Sequence, residues 1–262
     1  MPERLHKWLP VTIAIYLPVS FIITYSIAVA NGNVAAGFPY ISDTGTTPPE
    51  SCVFGQLMNI GAVLDGVIIY IRYRQIQHFY EEPQCPKGMK RLNTTAYVIG
   101  ILTVIGVSVV GNFQETNVRV VHLLGASLAF VVGFVYFLLQ TVISFKVKGL
   151  KISGNTDNLR RLRVLLIVLD IIFLLLVGIF AVLVKMKAAG QNMPSRKWST
   201  NNPGYSEHLV TTISEWLVAF VSVIYFSTFY TEFKHFSWRP PKVEYDNTTD
   251  TTLNAINVST LT

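Results

Sequence analysis

The arrangement of apolar residues constrains this chain more than any other feature of its sequence. They are grouped in blocks of about 20 residues, the length of helix that crosses the roughly 30 Å hydrocarbon core of a bilayer. Helices of soluble proteins carry charged residues every turn or two, whereas only 14% of this chain is charged. We therefore predict an all-α fold with transmembrane spans at about Leu9–Ala30, Cys52–Ile71, Thr95–Gly111, Val118–Ile143, Val164–Leu183 and Leu209–Tyr230.

The distribution of Lys and Arg predicts the orientation of this six-helix transmembrane bundle. Sixteen of the 21 basic residues lie in the N-terminal segment, the second and fourth connections and the C-terminal tail. Because cytosolic segments carry the excess of basic residues, both termini are expected in the cytosol. Residues 1–236 then form one membrane domain. Residues 237–262 are rich in Thr and Asn and lack apolar periodicity, which predicts a disordered cytosolic tail.

The first lumenal connection has an unusual composition. Between Asn31 and Ser51 it contains no Lys or Arg, and three prolines between Phe38 and Glu50 favour tight turns. Asp43-Thr44-Gly45 has the sequence of the aspartic-protease triplet, but that chemistry needs two carboxylates that share a proton. The chain has a single copy of this triplet, so we interpret Asp43 as a turn residue.

The same connection resembles a known family. The run Pro39–Glu50, followed by Cys52-Val-Phe-Gly55, closely resembles the signature of the DRAM family, the damage-regulated autophagy modulators, and more loosely their Sfk and FRAG relatives. The matching residues of the run include Pro39, Tyr40, Asp43, Gly45, Pro48, Pro49 and Glu50. Further matches follow in order along the chain: Tyr70, Arg72, Tyr73, Gly111–Glu115, Val121-His122, Gly125-Ala126, Trp198, Pro203–Tyr205, His208 and Glu215-Trp216.

The resemblance implies a six-span protein of lysosomal or late-endosomal membranes that promotes autophagy, with links to cell death; the plasma membrane and the Golgi are the alternatives. It supplies no catalytic residue, and we expect neither an enzyme nor a cofactor. The formal charge of +6 is explained by cytosolic flanking residues that face anionic lipid, so no nucleic-acid partner is expected. The expected partners are membrane lipids and other proteins.

Ionisable residues inside the spans are functional candidates, because a charge in hydrocarbon is costly. Asp65 and Asp170 are each placed about six residues from the cytosolic end of a predicted span, hence roughly 10 Å deep. They could form a paired proton or cation site. Alternatively, one carboxylate reaches Arg163 or Arg72 and the other is protonated.

A second polar group is predicted at the lumenal ends of the fourth and sixth spans. Arg119, His122, His208 and Glu215 fall at comparable depth by helix counting. We expect a hydrogen-bonded layer, and a pH-sensitive contact between the two helices is the sharper hypothesis, because histidine titrates near 6.5. Two histidines and a carboxylate would also suit zinc, but their spacing does not resemble a metal motif.

Three functions are compatible with the sequence. The first is a non-enzymatic modulator of autophagy that acts through partner proteins or lipids. The second is a transporter or channel whose path is lined by Asp65, Asp170 and Glu215, although no internal repeat is visible. The third is a lipid-modifying enzyme at the lumenal face that uses His122, His208 and Glu215.

The predicted orientation is tested with Cys85. Cys52 and Cys85 lie about a bilayer apart, too far for a disulfide, and Cys85 belongs to a cytosolic connection. An impermeant thiol reagent should label Cys85 only when it reaches the cytosolic side. Labelling of Cys85 from the lumenal side of sealed vesicles would reverse the orientation.

Overall fold

The computed structural model describes residues 5–150, 152–189 and 196–237. This part of the chain is all-helical and contains six helices long and apolar enough to cross a membrane. The predicted disordered tail lies outside the described residues from residue 238 onward. Both cysteines are free, with Cys52 exposed and Cys85 partly buried.

The six helices extend past the apolar blocks at most of their ends. We label them α1 to α6: His6–Ala30, Glu50–Gln77, Met89–Asn112, Arg119–Leu150, Asp157–Lys187 and Tyr205–Phe233. Each predicted span lies within one of these helices, apart from Val118, which precedes α4 by one residue. A six-residue π-helical segment, Ser127–Val132, interrupts α4. Hydropathy identifies the apolar centre of each helix, whereas the polar turns at the ends continue the same backbone hydrogen bonding.

The bundle has two chemically different ends. At the basic end, α1, α3 and α5 begin and α2, α4 and α6 end, and most of the Lys and Arg of the chain lie there. At the loop end, residues 31–49 connect α1 to α2; we call this segment the first loop. The excess of basic residues predicts that the basic end faces the cytosol.

The helices pack in a ring. Each helix contacts the next one along the chain, and α6 packs back against α1. Glycine allows the closest approach in this ring, between α3 and α4. A Cβ on Gly106 would lie 2.5 Å from the backbone nitrogen of Ala129, inside the π-helical segment, so no larger residue fits there without moving α4.

A buried ion cluster joins four helices at the basic end. Arg72 of α2, Arg163 of α5 and Glu232 of α6 have side chains that are 0% exposed. Arg72 Nη1 lies 3.0 Å from one Glu232 oxygen, and Arg163 Nη2 lies 2.5 Å from the other. Arg72 also donates from Nε to Gln140 Oε1 of α4 at 3.1 Å. A charge this deep is tolerated only when it is paired and hydrogen-bonded.

Further contacts surround the two guanidinium groups. Arg163 donates to Ser144 Oγ at 2.5 Å and to Thr228 Oγ1 at 3.0 Å. Both guanidinium groups lie against the ring of Phe229, with centroid distances of 5.3 Å for Arg72 and 4.9 Å for Arg163. The alternative in which Arg72 or Arg163 reaches Asp65 or Asp170 is therefore wrong, because both arginines pair with Glu232.

The loop-end half of α5 takes little part in the bundle. The buried residues of this helix are Leu159, Arg160, Arg163, Leu166 and Asp170, all in the half that starts from the basic end. From Ile171 to Lys187 no residue is buried, and Leu175, Ile179 and Val182 are more than half exposed. This half of α5 therefore exposes most of its surface to lipid, while one side packs partly buried residues such as Phe173 against the core and pairs Lys187 with Glu207 of α6.

Neutralising Glu232 should destabilise the bundle. Glu232→Gln leaves two buried guanidinium groups without a counter-charge, and breaking such a pair costs about 3–5 kcal/mol. We expect a large fall in the apparent melting temperature of the purified protein in detergent. The matched control is Glu82→Gln in the exposed connection after α2, which should change stability by less than about 0.5 kcal/mol. An unchanged melting temperature for Glu232→Gln would show that the cluster does not stabilise the fold.

Candidate functional site

A cavity of about 110 Å³ lies inside the ring beneath the first loop. Residues of α1, α2, α3, α4 and α6 line it, and Ile41 and Ser42 of the first loop form its cover. Most of the lining is aliphatic or aromatic. The volume is below the 300–1,000 Å³ typical of drug-sized ligand sites, yet it exceeds what a single water needs.

Three ionisable side chains line this cavity: Asp65 of α2, His122 of α4 and Glu215 of α6. His122 Nδ1 lies 2.7 Å from the carbonyl oxygen of Phe113. Because a carbonyl oxygen can only accept, Nδ1 must donate, which fixes the tautomer of a neutral ring and ties the start of α4 to the end of α3. The cavity is thus an apolar chamber with a few fixed polar groups.

Helix α6 holds the first loop through adjacent side chains. Glu215 Oε2 accepts a hydrogen bond of 3.1 Å from the backbone N–H of Ile41, and Trp216 Nε1 donates one of 2.9 Å to the carbonyl of Pro39. These bonds satisfy two backbone groups of a segment that lacks regular strand or helix partners. They also position Ile41 over the cavity.

A third contact with α6 is aromatic. His208 stacks on Trp198 with a centroid distance of 4.3 Å and an angle of 11°, and the ring of Tyr40 meets His208 edge-on at 5.2 Å. His208 is buried and does not line the cavity. The contact joins the first loop, the connection before α6 and the first turn of α6.

The first loop is also fixed to α1 and α2. Thr44 Oγ1 lies 3.1 Å from Thr24 Oγ1 of α1. Glu50, at the start of α2, accepts from Asn33 at 2.6 Å and from Asn31 at 3.3 Å. A Cβ on Gly45 would lie 2.3 Å from the ring of Phe54, so the short 3₁₀ turn Ser42–Gly45 can pack on α2 only with glycine there.

Each of the seven matching residues of the family-like run has a defined position in the structure. Pro39 offers its carbonyl to Trp216, Tyr40 packs on His208, and Asp43 is buried in the 3₁₀ turn. Pro48 and Pro49 are joined by a cis peptide bond immediately before α2. Gly45 and Glu50 make the contacts described above. The run specifies how the loop closes over the bundle.

The four residues predicted as a lumenal polar layer occupy different environments. Glu215 and His122 share the cavity, whereas His208 belongs to the aromatic contact. The Arg119 side chain is 61% exposed and lies 3.9 Å from Glu115. Glu215 binds the backbone of the first loop and makes no hydrogen bond to either histidine among the described residues. Joint action of the four residues stays a prediction.

Asp65 and Asp170 lie farther from the ends of their helices than from the ends of the apolar blocks. Because α2 and α5 extend beyond those blocks, Asp65 is twelve residues from Gln77 and Asp170 is thirteen from Asp157, about 18–20 Å along each helix. Their depth in the bilayer stays a prediction. Both are buried, and neither Oδ1 atom has a hydrogen-bond partner within the described residues. Asp65 lines the cavity, and Asp170 does not.

Two features of the site lay outside the sequence prediction. The backbone partners of Glu215 and Trp216 are 174 and 177 residues away in the chain. The only sequence signal for them was that the two residues and the first loop fall in separate family-like motifs. In the part of the chain that the structure describes, no three His, Cys, Asp or Glu side chains are grouped as a metal site.

Comparison with known proteins identifies relatives along almost the whole chain. The family described as Frag1/DRAM/Sfk1/Cwh43P N-terminal domain matches residues 6–236. Human DNA damage-regulated autophagy modulator protein 1 is 36% identical over 88% of this chain and 92% of its own length. Rat DNA damage-regulated autophagy modulator protein 2 is 34% identical, over 89% and 85% of the two chains. Modulator of macroautophagy TMEM150B-A of Xenopus laevis is 35% identical, over 87% and 86%. No solved structure matches.

Closure of the first loop should depend on pH through Asp43. Burial, and then the carboxylate of Glu115, raise the pKa of Asp43 to about 8 from 3.8, although Arg196 opposes the shift. The closed loop therefore holds a proton that an open loop would release. The stabilisation of the closed loop by this proton is complete below about pH 4, and it is lost as the pH rises to about 8.

We expect amide hydrogen exchange in the first loop, corrected for the intrinsic effect of pH, to be faster at about pH 9 than at about pH 5. Asp43→Asn should remove most of this difference, because the amide stays neutral throughout. Glu207→Gln, at the loop end of α6 before the predicted span, is the control. The hydrogen bond from Lys187 lowers the pKa of Glu207 below its usual 4.5, so this group stays ionised between pH 5 and 9 and the variant should show the pH response of wild type. The prediction fails if wild type and Asp43→Asn respond to pH alike.

Proposed function

The chain belongs to the Frag1/DRAM/Sfk1/Cwh43P family, and from this premise we propose that it is a multi-pass membrane protein that modulates autophagy without catalysing a reaction. It acts through partner proteins or membrane lipids. Its place is the lysosomal or late-endosomal membrane, with both termini in the cytosol.

One observation carries this proposal. The family model covers residues 6–236, which include all six helices, the first loop and the cavity, and relatives named as autophagy modulators match 87–89% of the chain. The residues that close the loop, among them Pro39, Gly45 and Trp216, lie within the family-like motifs. The similarity thus extends to the features that set the shape of the loop end, beyond the hydrophobicity that any membrane helix shares.

The hydrogen bonds and packing of the candidate catalytic side chains support a non-enzymatic role. Glu215 and Trp216 are committed to the backbone of the first loop, and His122 to the backbone of α3. His208 packs between aromatic rings. The residues considered for a lipid-modifying enzyme therefore position loops and helix ends. His122 and Glu215 line one cavity, but His208 does not, and Glu215 makes no hydrogen bond to either histidine among the described residues.

The behaviour expected of the first loop supports the proposed location. A closed loop that binds one proton more than an open one is favoured in an acidic compartment. The lumen of a lysosome would hold Asp43 protonated and the loop closed over the cavity. In a neutral compartment the same loop would be less stable.

The proposal is tested against a transporter or channel by replacing Asp65. In cells that lack the protein, autophagic flux should be altered, and wild type should restore it. Asp65→Asn keeps the shape of the cavity lining and removes the one cavity carboxylate that has a fully enclosed oxygen without a partner among the described residues, so a transport path would lose that ionisable group. We expect Asp65→Asn to restore flux as wild type does, with Asp170→Asn as the matched variant outside the cavity.

Equal expression and endolysosomal staining of the two variants are the required controls. Failure of Asp65→Asn alone to restore flux, with ion movement through wild-type proteoliposomes, would favour the transporter. Absence of any change in flux when the protein is removed would overturn the proposed role itself.

A further inference from the structure

A second cavity, far larger than the first, opens at the basic end. It has a volume of about 630 Å³ and lies where the start of α1, the end of α2 and the segment after α6 meet. We call it the basic-end pocket; its polar walls are formed by His6, Tyr70, Arg74, Gln75, His78 and His235. The volume is within the range of small-molecule sites, and three separate parts of the chain converge on it.

Two residues that line this pocket each have an enclosed side-chain nitrogen without a partner. His6 and Gln75 are each 4% exposed, and His6 Nε2 and Gln75 Nε2 make no hydrogen bond within the described residues. The orientation of the Gln75 amide is fixed, because its oxygen accepts a bond of 2.7 Å from Arg72 Nη1. Exchanging the amide oxygen and nitrogen would point two donors at each other. The Gln75 N–H group is therefore left for another acceptor, and such groups are rarely left unsatisfied.

The charge of the pocket favours an anion. Arg74 and three histidines line it, and none of its described lining residues is an Asp or Glu. Arg74 is held in place by a 2.8 Å hydrogen bond from Nη1 to Tyr70 Oη and by the face of the Tyr70 ring, 5.8 Å away. Behind Gln75, the ion cluster of two arginines and one glutamate keeps a net charge of +1. A neutral or charged histidine can donate at least one N–H group.

The pocket lies at the level where lipid headgroups are found. Tyr70, Arg74 and Gln75 belong to the last turns of α2, so one wall is part of a membrane-spanning helix. Next to His6, the ring of Trp8 packs on Tyr230 of α6 at 5.2 Å, and Lys7 lies over the same Trp8 ring. Trp and Tyr mark the membrane–water interface, with basic residues on its polar side.

We propose that the basic-end pocket binds the headgroup of a lipid that carries a phosphomonoester. Arg74, His78 and His235 are exposed at the pocket, and the unpartnered nitrogens of His6 and Gln75 lie in its wall, where a small shift of their side chains brings them within reach of a ligand. Donors from three parts of the chain suit the three terminal oxygens and near-double charge of a monoester. A phosphodiester lipid offers only two such oxygens and one charge. Binding would fasten the N-terminal turn and the segment after α6 to the end of α2.

The test uses the purified full-length protein in phosphatidylcholine nanodiscs. Dioctanoyl phosphatidic acid is the probe, and native mass spectrometry measures how much of it binds. Dioctanoyl phosphatidylserine carries a phosphodiester, and glycerol 3-phosphate has the monoester without acyl chains. We expect phosphatidic acid to bind at least about tenfold more tightly than either, which corresponds to one charge-assisted hydrogen bond or more.

Two variants locate the site. Arg74→Gln should weaken the binding of phosphatidic acid about tenfold, and His6→Phe, which keeps a ring, should also weaken it. The matched control is Lys87→Gln together with Lys90→Gln, exposed basic residues near the same end that do not line the pocket. Melting temperatures equal to wild type show that the variants are folded. Because no cellular readout is used, the result is independent of the role in autophagy.

Each other outcome overturns the proposal in a distinct way. Equal binding of phosphatidylserine would reduce the effect to general attraction between a basic surface and anionic lipid. Equal binding of glycerol 3-phosphate would make this a site for soluble phosphates. Loss of binding in the Lys87, Lys90 double variant, but not in Arg74→Gln, would place the site outside the pocket.

Discussion

The shared use of Glu232 by Arg72 and Arg163 is the interaction on which the rest of the bundle depends. Removing two guanidinium groups and a carboxylate from water costs several kcal/mol per ion, and only good pairing with additional hydrogen bonds offsets this cost. Gln140, Ser144 and Thr228 supply those bonds, so α2, α4, α5 and α6 must all be in place. An incomplete assembly would bury an unpaired charge. The cluster thus favours one arrangement of helices over its neighbours.

The buried ion cluster fixes the basic end, whereas the loop end is held by individually weaker hydrogen bonds and packing contacts. The first loop rests on hydrogen bonds to Glu215 and Trp216, on packing against His208 and on a glycine contact with Phe54. Each of these contacts involves neutral groups or at most one charged group, and all of them lie at the loop end of the bundle. The apolar cavity lies between the two ends, where the ring of helices encloses more space than their side chains fill.

Much of this fold could be predicted from the sequence, and the reason is physical. Hydrocarbon forces every backbone group to be satisfied within its own helix, so a block without charged residues such as Leu9–Ala30 predicts both a helix and its approximate length. The family resemblance added that the first loop and the starts of α4 and α6 all carry family-like motifs. The pairing of side chains could not be predicted from the sequence in the same way. Glu232 lies 160 residues from Arg72, and neither hydropathy nor local spacing says which acid will meet which base. For the same reason, the sequence did not predict the hydrogen bond between Glu215 and the backbone of Ile41.

The unequal burial along α5 has a consequence for how the protein responds to its bilayer. The helix has 31 residues and is about 46 Å long, more than the hydrocarbon core of any common membrane requires. Its first half is anchored through Arg163, whereas its second half has no buried residue and is held by the partly buried packing of Phe173 and by the pairing of Lys187 with Glu207. A bilayer whose thickness changes the tilt of α5 would therefore strain these weaker contacts before it disturbs the buried base of the helix. Membrane thickness, which differs between organelles, thus acts first on the loop-end half of α5.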